Sequence, residues 1–218
     1  MTGTYSDGQI NQYLDRIAFP SDQKIGTDTA ALNCLVACHL QAVPFEDLTL
    51  HYSKNPVIDL TPATLFDKVV TRRQGGYCME QNLVFAAVLK SLGFELYTIG
   101  ARVALPSGFT GWQHMGIIVT IDGTEYLVDV GFGGNGPTQP IPTFKDGKII
   151  SQPVPGVLPE EHRVVKGPLP GGNKRGYEVW HLQHRRNQQT DWRSIYAFDK
   201  DLEFILPDYE TYFPFALS

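Results

Sequence analysis

The residue best suited to covalent chemistry is Cys78. It follows Gly75-Gly76-Tyr77 and stands where an apolar helical stripe begins. A thiol at a helix start meets the positive end of the helix dipole, which favours the thiolate and sets backbone N–H groups where an oxyanion could form. Such a nucleophile needs a base, and the base needs a group to orient it. The run Met115–Ile121, Asp122-Gly123, Thr124–Val130 supplies both. Asp-Gly between β-rich runs is a preferred two-residue hairpin turn, so Ile121 pairs with Thr124 and His114 falls opposite Gly131. Asp129 then lies on the same face, diagonally beside His114. Its neighbours Leu127, Val128 and Val130 are apolar, and a carboxylate there needs a partner such as an imidazole N–H. Cys78, His114 and Asp129 thus compose the thiol version of a nucleophile, base and orienter.

Other chemistry-bearing clusters read differently. Gly131-Phe132-Gly133-Gly134-Asn135-Gly136 formally matches a dinucleotide fingerprint, but Pro137, Pro140 and Pro142 forbid the helix that such a site requires. Cys34, Cys38 and His39 lie inside an apolar helix with no second pair at ligand spacing, so the cysteines read as buried small thiols and no metal is expected. Arg16 and Glu46 read as a structural ion pair between early helices. His51, His162, His181 and His184 have no discriminating neighbours and receive no role.

The elements that must position the three residues change character midway. Ile10, Tyr13, Leu14 and Ile17 share one helical face after a Ser6-x-x-Gln9 capping box, with Pro20 as the stop. A second face runs Leu32, Leu35, Val36, His39, Leu40 and Val43, ending at Pro44, and a third helix opens with Thr61 as N-cap and Pro62. The fourth runs from Cys78 to Gly93, with Phe85, Val88, Leu89 and Leu92 as its stripe. From Glu95 onward the period is strand-like, broken by Asp122-Gly123 and Asp146-Gly147 as hairpin turns, with strands around Tyr177–Gln183 and Arg193–Phe198 closing the sheet. Helices first and antiparallel strands after give an α+β architecture: a helical part over 1–94 carrying the Cys, and a β part over 95–218 carrying His and Asp with a short tail.

Bulk properties narrow the function classes. A chain of 218 residues buries a real core without staples. The net charge of -5 has no block of like charges behind it, so nucleic acid and anionic membrane are not expected as partners. No stretch approaches the ~20 apolar residues of a membrane span, and three irregularly spaced cysteines suit a reducing compartment. A cytoplasmic location is the expectation.

The segment Gly75-Gly76-Tyr77-Cys78-Met79-Glu80-Gln81-Asn82 resembles the active-site motif of the arylamine N-acetyltransferase family. Tyr13-Leu14-Asp15-Arg16-Ile17, Val43-Pro44-Phe45-Glu46, Ala101-Arg102-Val103, His114 and Val128-Asp129-Val130-Gly131-Phe132-Gly133 follow in the family's order and at similar spacings. Gln74 stands where the family usually has Arg, and Asp47 where it usually has Asn. The resemblance implies a cysteine-protease-like helical bundle followed by a β-barrel. It implies a Cys78-His114-Asp129 triad, with substrate and CoA contacts at Gly76, Tyr77, Val103, Phe132 and Gly133.

The implied activity is that of a transferase: an acetyl or related short acyl group passes from acetyl-CoA, malonyl-CoA or propionyl-CoA to Cys78. From there it goes to an arylamine, hydrazine or hydroxylamine, with no permanently bound cofactor. Two alternatives share the residues: a thiol hydrolase or amidase with the same triad, and an inactive relative acting as a binding module. The family commonly continues into a lid-like third domain, whereas this chain ends at Phe213-Pro214-Phe215-Ala216-Leu217-Ser218. The corresponding expectation is an open cleft, uncovered barrel surface and a possible homo-oligomer.

Overall fold

Local signals start the first helices where the sequence places them. A computed structural model of the chain describes residues 4–23, 25–48, 52, 58–143, 147–152, 159–172 and 175–212. Helix α1 (Asp7–Arg16) opens with the reciprocal capping box, Ser6 N donating to Gln9 Oε1 at 3.0 Å and Gln9 N donating to Ser6 Oγ at 3.4 Å. It ends before Pro20, because the chain turns out of the helix at Ala18 with φ of 51°. Helix α2 (Thr29–Ala42) is capped by Asp28, whose Oδ1 accepts from Ala31 N at 2.8 Å.

Helix α3 (Pro62–Phe66) begins at Thr61-Pro62 and runs into a π-helical turn, Asp67–Thr71. The sequence carries no visible signal for that turn. Helix α4 (Cys78–Ser91) is the central element: every residue from Met79 to Leu89 is buried, a wider face than the single stripe read from periodicity.

The strands β1 (Glu95–Leu105), β2 (Gly108–Ile121), β3 (Thr124–Val128), β4 (Ile141–Pro142), β5 (Ile150–Gln152), β6 (Glu160–Pro168), β7 (Glu178–Arg185) and β8 (Arg193–Glu203) form one antiparallel sheet. Its order is β4-β3-β2-β1-β8-β7-β6-β5, and β4 comes near β6, curling the sheet into a barrel-like form. A short helix α5 (Leu206–Tyr212) follows. The Asp122-Gly123 turn has the expected register, Ile121 opposite Thr124 through Ile117 opposite Val128. Asp146 lies outside the described residues. The strands on either side of it, β4 and β5, pair with β3 and β6 and not with each other. Residues 213–218 of the tail also lie outside the description.

Two cores meet at β2. Met115, Ile117, Val119 and Ile121 pack with the helices and with Val128, whereas Ile118 faces the barrel interior with Ile99, Ala101, Leu127, Leu182, Tyr196 and Phe198. The alternation of strand side chains lets one strand serve both layers.

The ion pair expected between Arg16 and Glu46 does not form. Arg16 Nε donates to Val69 O at 3.0 Å and its Nη2 to Arg73 O at 3.4 Å, carbonyls at the end of the π-helical turn. Glu46 faces Lys68 Nζ at 3.4 Å, because the π turn carries Lys68 inward.

Candidate active site

The turn before Cys78 is shaped by close approach. A methyl group on Gly75 would sit 2.0 Å from the Pro44 carbonyl oxygen, so only glycine lets the two backbones lie together. Gly76 N donates to Pro44 O at 3.3 Å, and Glu46 N donates to Gly76 O at 3.0 Å. Tyr77 N then donates to Glu80 Oε2 at 3.1 Å, and both Glu80 oxygens accept from buried Lys68 Nζ at 2.8 Å. This ion pair locks the helix start, leaving Cys78 as the first residue of α4 and partly exposed. First-turn N–H groups have no intrahelical acceptor, so they remain available to an oxyanion beside the sulfur.

His114, on β2, and Asp129, just past β3, are buried. His114 Nε2 donates to Asp129 Oδ2 at 2.7 Å, the pair expected from the hairpin register. Nδ1 is therefore the nitrogen left for Cys78, whose sulfur lies 3.9 Å from the carbonyl oxygen of Gln113, the residue before His114. Burial pulls the His114 pKa down, but the charge and hydrogen bond of Asp129, aided by Cys78, raise it to about 10. Burial opposes ionisation of Asp129, yet His114, Asn82 and the Gly131 N–H hold its carboxyl below the usual range.

Several supporting residues were not assigned from the sequence. Asn82 Nδ2 donates to Met115 O at 3.0 Å and to Asp129 Oδ1 at 2.9 Å, while its Oδ1 accepts from Val130 N at 3.0 Å. Its position four residues after Cys78 places it on the same helix face, a signal available in the motif. Gly131 N donates to Asp129 Oδ1 at 2.9 Å, and a methyl on Gly131 would lie 2.6 Å from Cys78 O.

A further support stands behind the turn. The Tyr13 hydroxyl meets His39 Nδ1 at 2.6 Å, and His39 Nε2 meets Gln81 Oε1 at 3.0 Å. Gln81 Nε2 donates to Pro44 O and Gly76 O. Burial lowers the His39 pKa to about 4, so a neutral Nε2–H donates to Gln81 and Nδ1 accepts from Tyr13.

Among the expected contact residues, Phe132 stands perpendicular to the His114 ring at 5.1 Å, and Gly133 is exposed beside the Phe45 ring. Tyr196 of β8 packs against both His114 and Phe132, at 5.0 and 5.5 Å between ring centres. Val103 pairs with Tyr196 across β1 and β8. Gly76 is used by the turn itself. The Tyr77 ring is buried with the helical core, a support for α4 more than a wall of the cleft.

His162 also reaches the site: fully buried on β6, its Nε2 donates to Asn135 O at 2.9 Å, tying down the loop that carries Phe132. Cys34 and Cys38 lie 3.9 Å apart, Sγ to Sγ, and among the described residues no group of three or more His, Cys, Asp or Glu is placed to hold a metal ion.

The chain is similar to known proteins over most of its length. An N-acetyltransferase family model matches residues 28–205. An N-malonyltransferase of Fusarium pseudograminearum is 31% identical over 94% of this chain and 68% of its own length. An arylamine N-acetyltransferase of Mycolicibacterium smegmatis is 36% identical over 72% of this chain and 56% of its own. The structure of the Mycobacterium marinum arylamine N-acetyltransferase in complex with CoA aligns with a TM-score of 0.73 at 32% identity, covering 93% of this chain and 69% of that one. No helix among the described residues is long and apolar enough to cross a membrane.

Proposed function

Because the chain belongs to the arylamine N-acetyltransferase family of acyltransferases, we propose that it carries a short acyl group from a coenzyme A thioester to an aromatic amine or hydrazine through a thioester on Cys78. The observation that carries this reading is the buried His114–Asp129 pair, with Cys78 at the start of α4 and its sulfur 3.9 Å from the Gln113 carbonyl beside His114.

The reacting form is the Cys78 thiolate beside the protonated imidazole of His114. The Cys78 sulfur attacks the thioester carbonyl; first-turn N–H groups of α4 hold the oxyanion; and the C–S bond to CoA breaks as His114 Nδ1 gives its proton to the departing thiolate. The amine nitrogen then attacks the acyl-enzyme, His114 takes the proton that it sheds, and collapse releases the amide and restores the Cys78 thiolate. Asp129 keeps the Nε2 proton in place, so that Nδ1 faces sulfur in both halves. Phe132, Gly133 and Val103 border the space for acyl group and amine, Phe132 by its contact with the His114 ring.

The test is mass spectrometry of the protein after acetyl-CoA or malonyl-CoA is supplied without acceptor. The expected result is an acyl adduct on Cys78 that an aromatic amine discharges as N-acyl product. Unimpaired N-acylation by Cys78→Ala would overturn the mechanism. Release of CoA and free acid alone, with amine present, would favour a thiol hydrolase.

A further inference from the structure

Phe132 has a second face. Packed perpendicular to the His114 ring, it also lines a cavity of about 660 Å³ bounded by Ala104, Asn135 and the β7–β8 hairpin. Phe132 is therefore shared between the cavity wall and the packing of His114. Its charged groups are unequal in number: Arg185, Arg186 and Arg193 line it with His184, against Asp191 alone.

These groups are not equivalent. Arg185 is committed, its Nε donating to Glu161 Oε2 at 2.5 Å and its guanidinium lying 4.5 Å from the Trp192 ring centre. His184 Nε2 is held by Glu160 Oε2 at 3.1 Å. Arg186 and Arg193 are exposed, and neither takes part in an ion pair among the described residues. In β8, Arg193 stands opposite His184 at the cavity wall. Asn135, Gln189, Thr190 and Ser194 add hydrogen-bonding groups. A chain of net charge -5 thus gathers uncommitted guanidiniums at one recess, next to the ring that packs on His114. Paired N–H donors of this kind suit a carboxylate.

We infer that this cavity is a specificity site for the acyl donor, in which Arg186 and Arg193 receive the free carboxylate of a malonyl-type group on Cys78. The inference rests on the acyl-enzyme reading above. A malonyl thioester differs from acetyl by a carboxylate one methylene from the carbonyl, so an acyl group that leans past Phe132 brings that charge toward the cavity. An acetyl group brings nothing for the guanidiniums to hold. The N-malonyltransferase similar to this chain over 94% of its length is consistent with such a donor.

The experiment measures the rate of Cys78 acylation by intact-protein mass in single-turnover mixtures, with malonyl-CoA or acetyl-CoA and no acceptor. It compares the full chain with Arg186→Gln, Arg193→Gln and the double variant. Losing a charge-assisted bidentate contact should slow malonyl loading about tenfold or more in the double variant, while acetyl loading changes less than about twofold. Both side chains are exposed, so unchanged thermal midpoints are expected and will show that folding is intact. An equal loss with both donors overturns the inference, because the arginines would then serve the phosphates that the donors share. Unchanged malonyl loading in the double variant overturns it as well. Absence of any adduct on wild-type Cys78 from either donor is a different failure: it removes the acyl-enzyme reading, and the cavity's role with it.

Discussion

Replacing Asp129 by Asn tests the triad through the direction of a single proton. Asp129 Oδ1 accepts from Asn82 Nδ2 and from Gly131 N, both at 2.9 Å, so in the variant that position must remain an oxygen. The new amide nitrogen is then forced toward His114 Nε2, where Asp129 Oδ2 had accepted at 2.7 Å. An amide N–H there donates, so His114 must accept at Nε2 and carry its proton on Nδ1, facing Cys78. That tautomer cannot take a proton from sulfur or from the attacking amine.

The electrostatic loss acts in the same direction. Burial alone depresses the imidazole, and Asp129 is the main reason that it is raised from 6.5 to about 10. Losing that preference lowers the imidazole's proton affinity, and the wrong tautomer blocks proton transfer at Nδ1, giving a fall in kcat/KM of about 10³ to 10⁴. The assay is pre-steady-state CoA release followed over pH, alongside thermal melting to show that the nearly isosteric variant folds. Retention of more than about a tenth of the wild-type rate, at unchanged melting temperature, would refute the reasoning and leave Asp129 as a core acid.

Other perturbations have distinct signatures. Gly131→Ala drives a methyl to 2.6 Å from Cys78 O and 2.8 Å from Asn82 Nδ2, and should cost about 1–3 kcal/mol by chemical denaturation together with most of the acylation rate. Lys68→Met strands the buried Glu80 carboxylate and the Glu46 carboxylate beside it, with an expected loss of about 3–5 kcal/mol in urea unfolding. Asn82→Asp keeps the acceptor for Val130 N but turns an oxygen toward Asp129 Oδ1; acylation should collapse, and unaltered kinetics would mean that the carboxylate tolerates a second charge. The folded-state pKa of His39 is lowered to about 4 by burial, so the unfolded chain takes up its proton first as pH falls. Stability should drop by about 3 kcal/mol between pH 6.5 and 4 and level off below, a slope that His39→Gln should lack in urea titrations over pH.

The legible parts of this chain were those fixed by near neighbours. The Ser6/Gln9 capping box and the Asp122-Gly123 turn need only a few residues, and the turn alone sets the register that brings Asp129 to His114. Strand order was not legible, because β8 enters between β1 and β7 through packing across the whole sheet. Strands of two and three residues, β4 and β5, are too short to display a period of two. Charge partners failed for a related reason. Arg16 and Glu46 were plausible by type, but a π-helical turn unannounced by composition carried Lys68 to the carboxylates and left its end carbonyls for Arg16. His39 reads from sequence only as part of an apolar helix face, and its use as a relay between Tyr13 and Gln81 depends on two helices meeting.

The three groups proposed to react come from different layers, and their alignment is a property of the seam between them. Cys78 belongs to the helical core, His114 lies on the strand that both cores share, and Asp129 is held where β3 gives way to the loop bearing Phe132. Neither core alone fixes the sulfur relative to the imidazole. Asn82 supplies the missing constraint: one helical turn beyond Cys78, it binds β2 through Met115 O, the carboxylate through Asp129 Oδ1 and the following backbone through Val130 N. Gly131 lets the same segment rest on the Cys78 backbone itself. Satisfying three buried polar groups with one amide makes any sliding of α4 along the sheet cost several hydrogen bonds at once. The helix start that carries Cys78 and the carboxylate bonded to the imidazole are thereby held to one geometry.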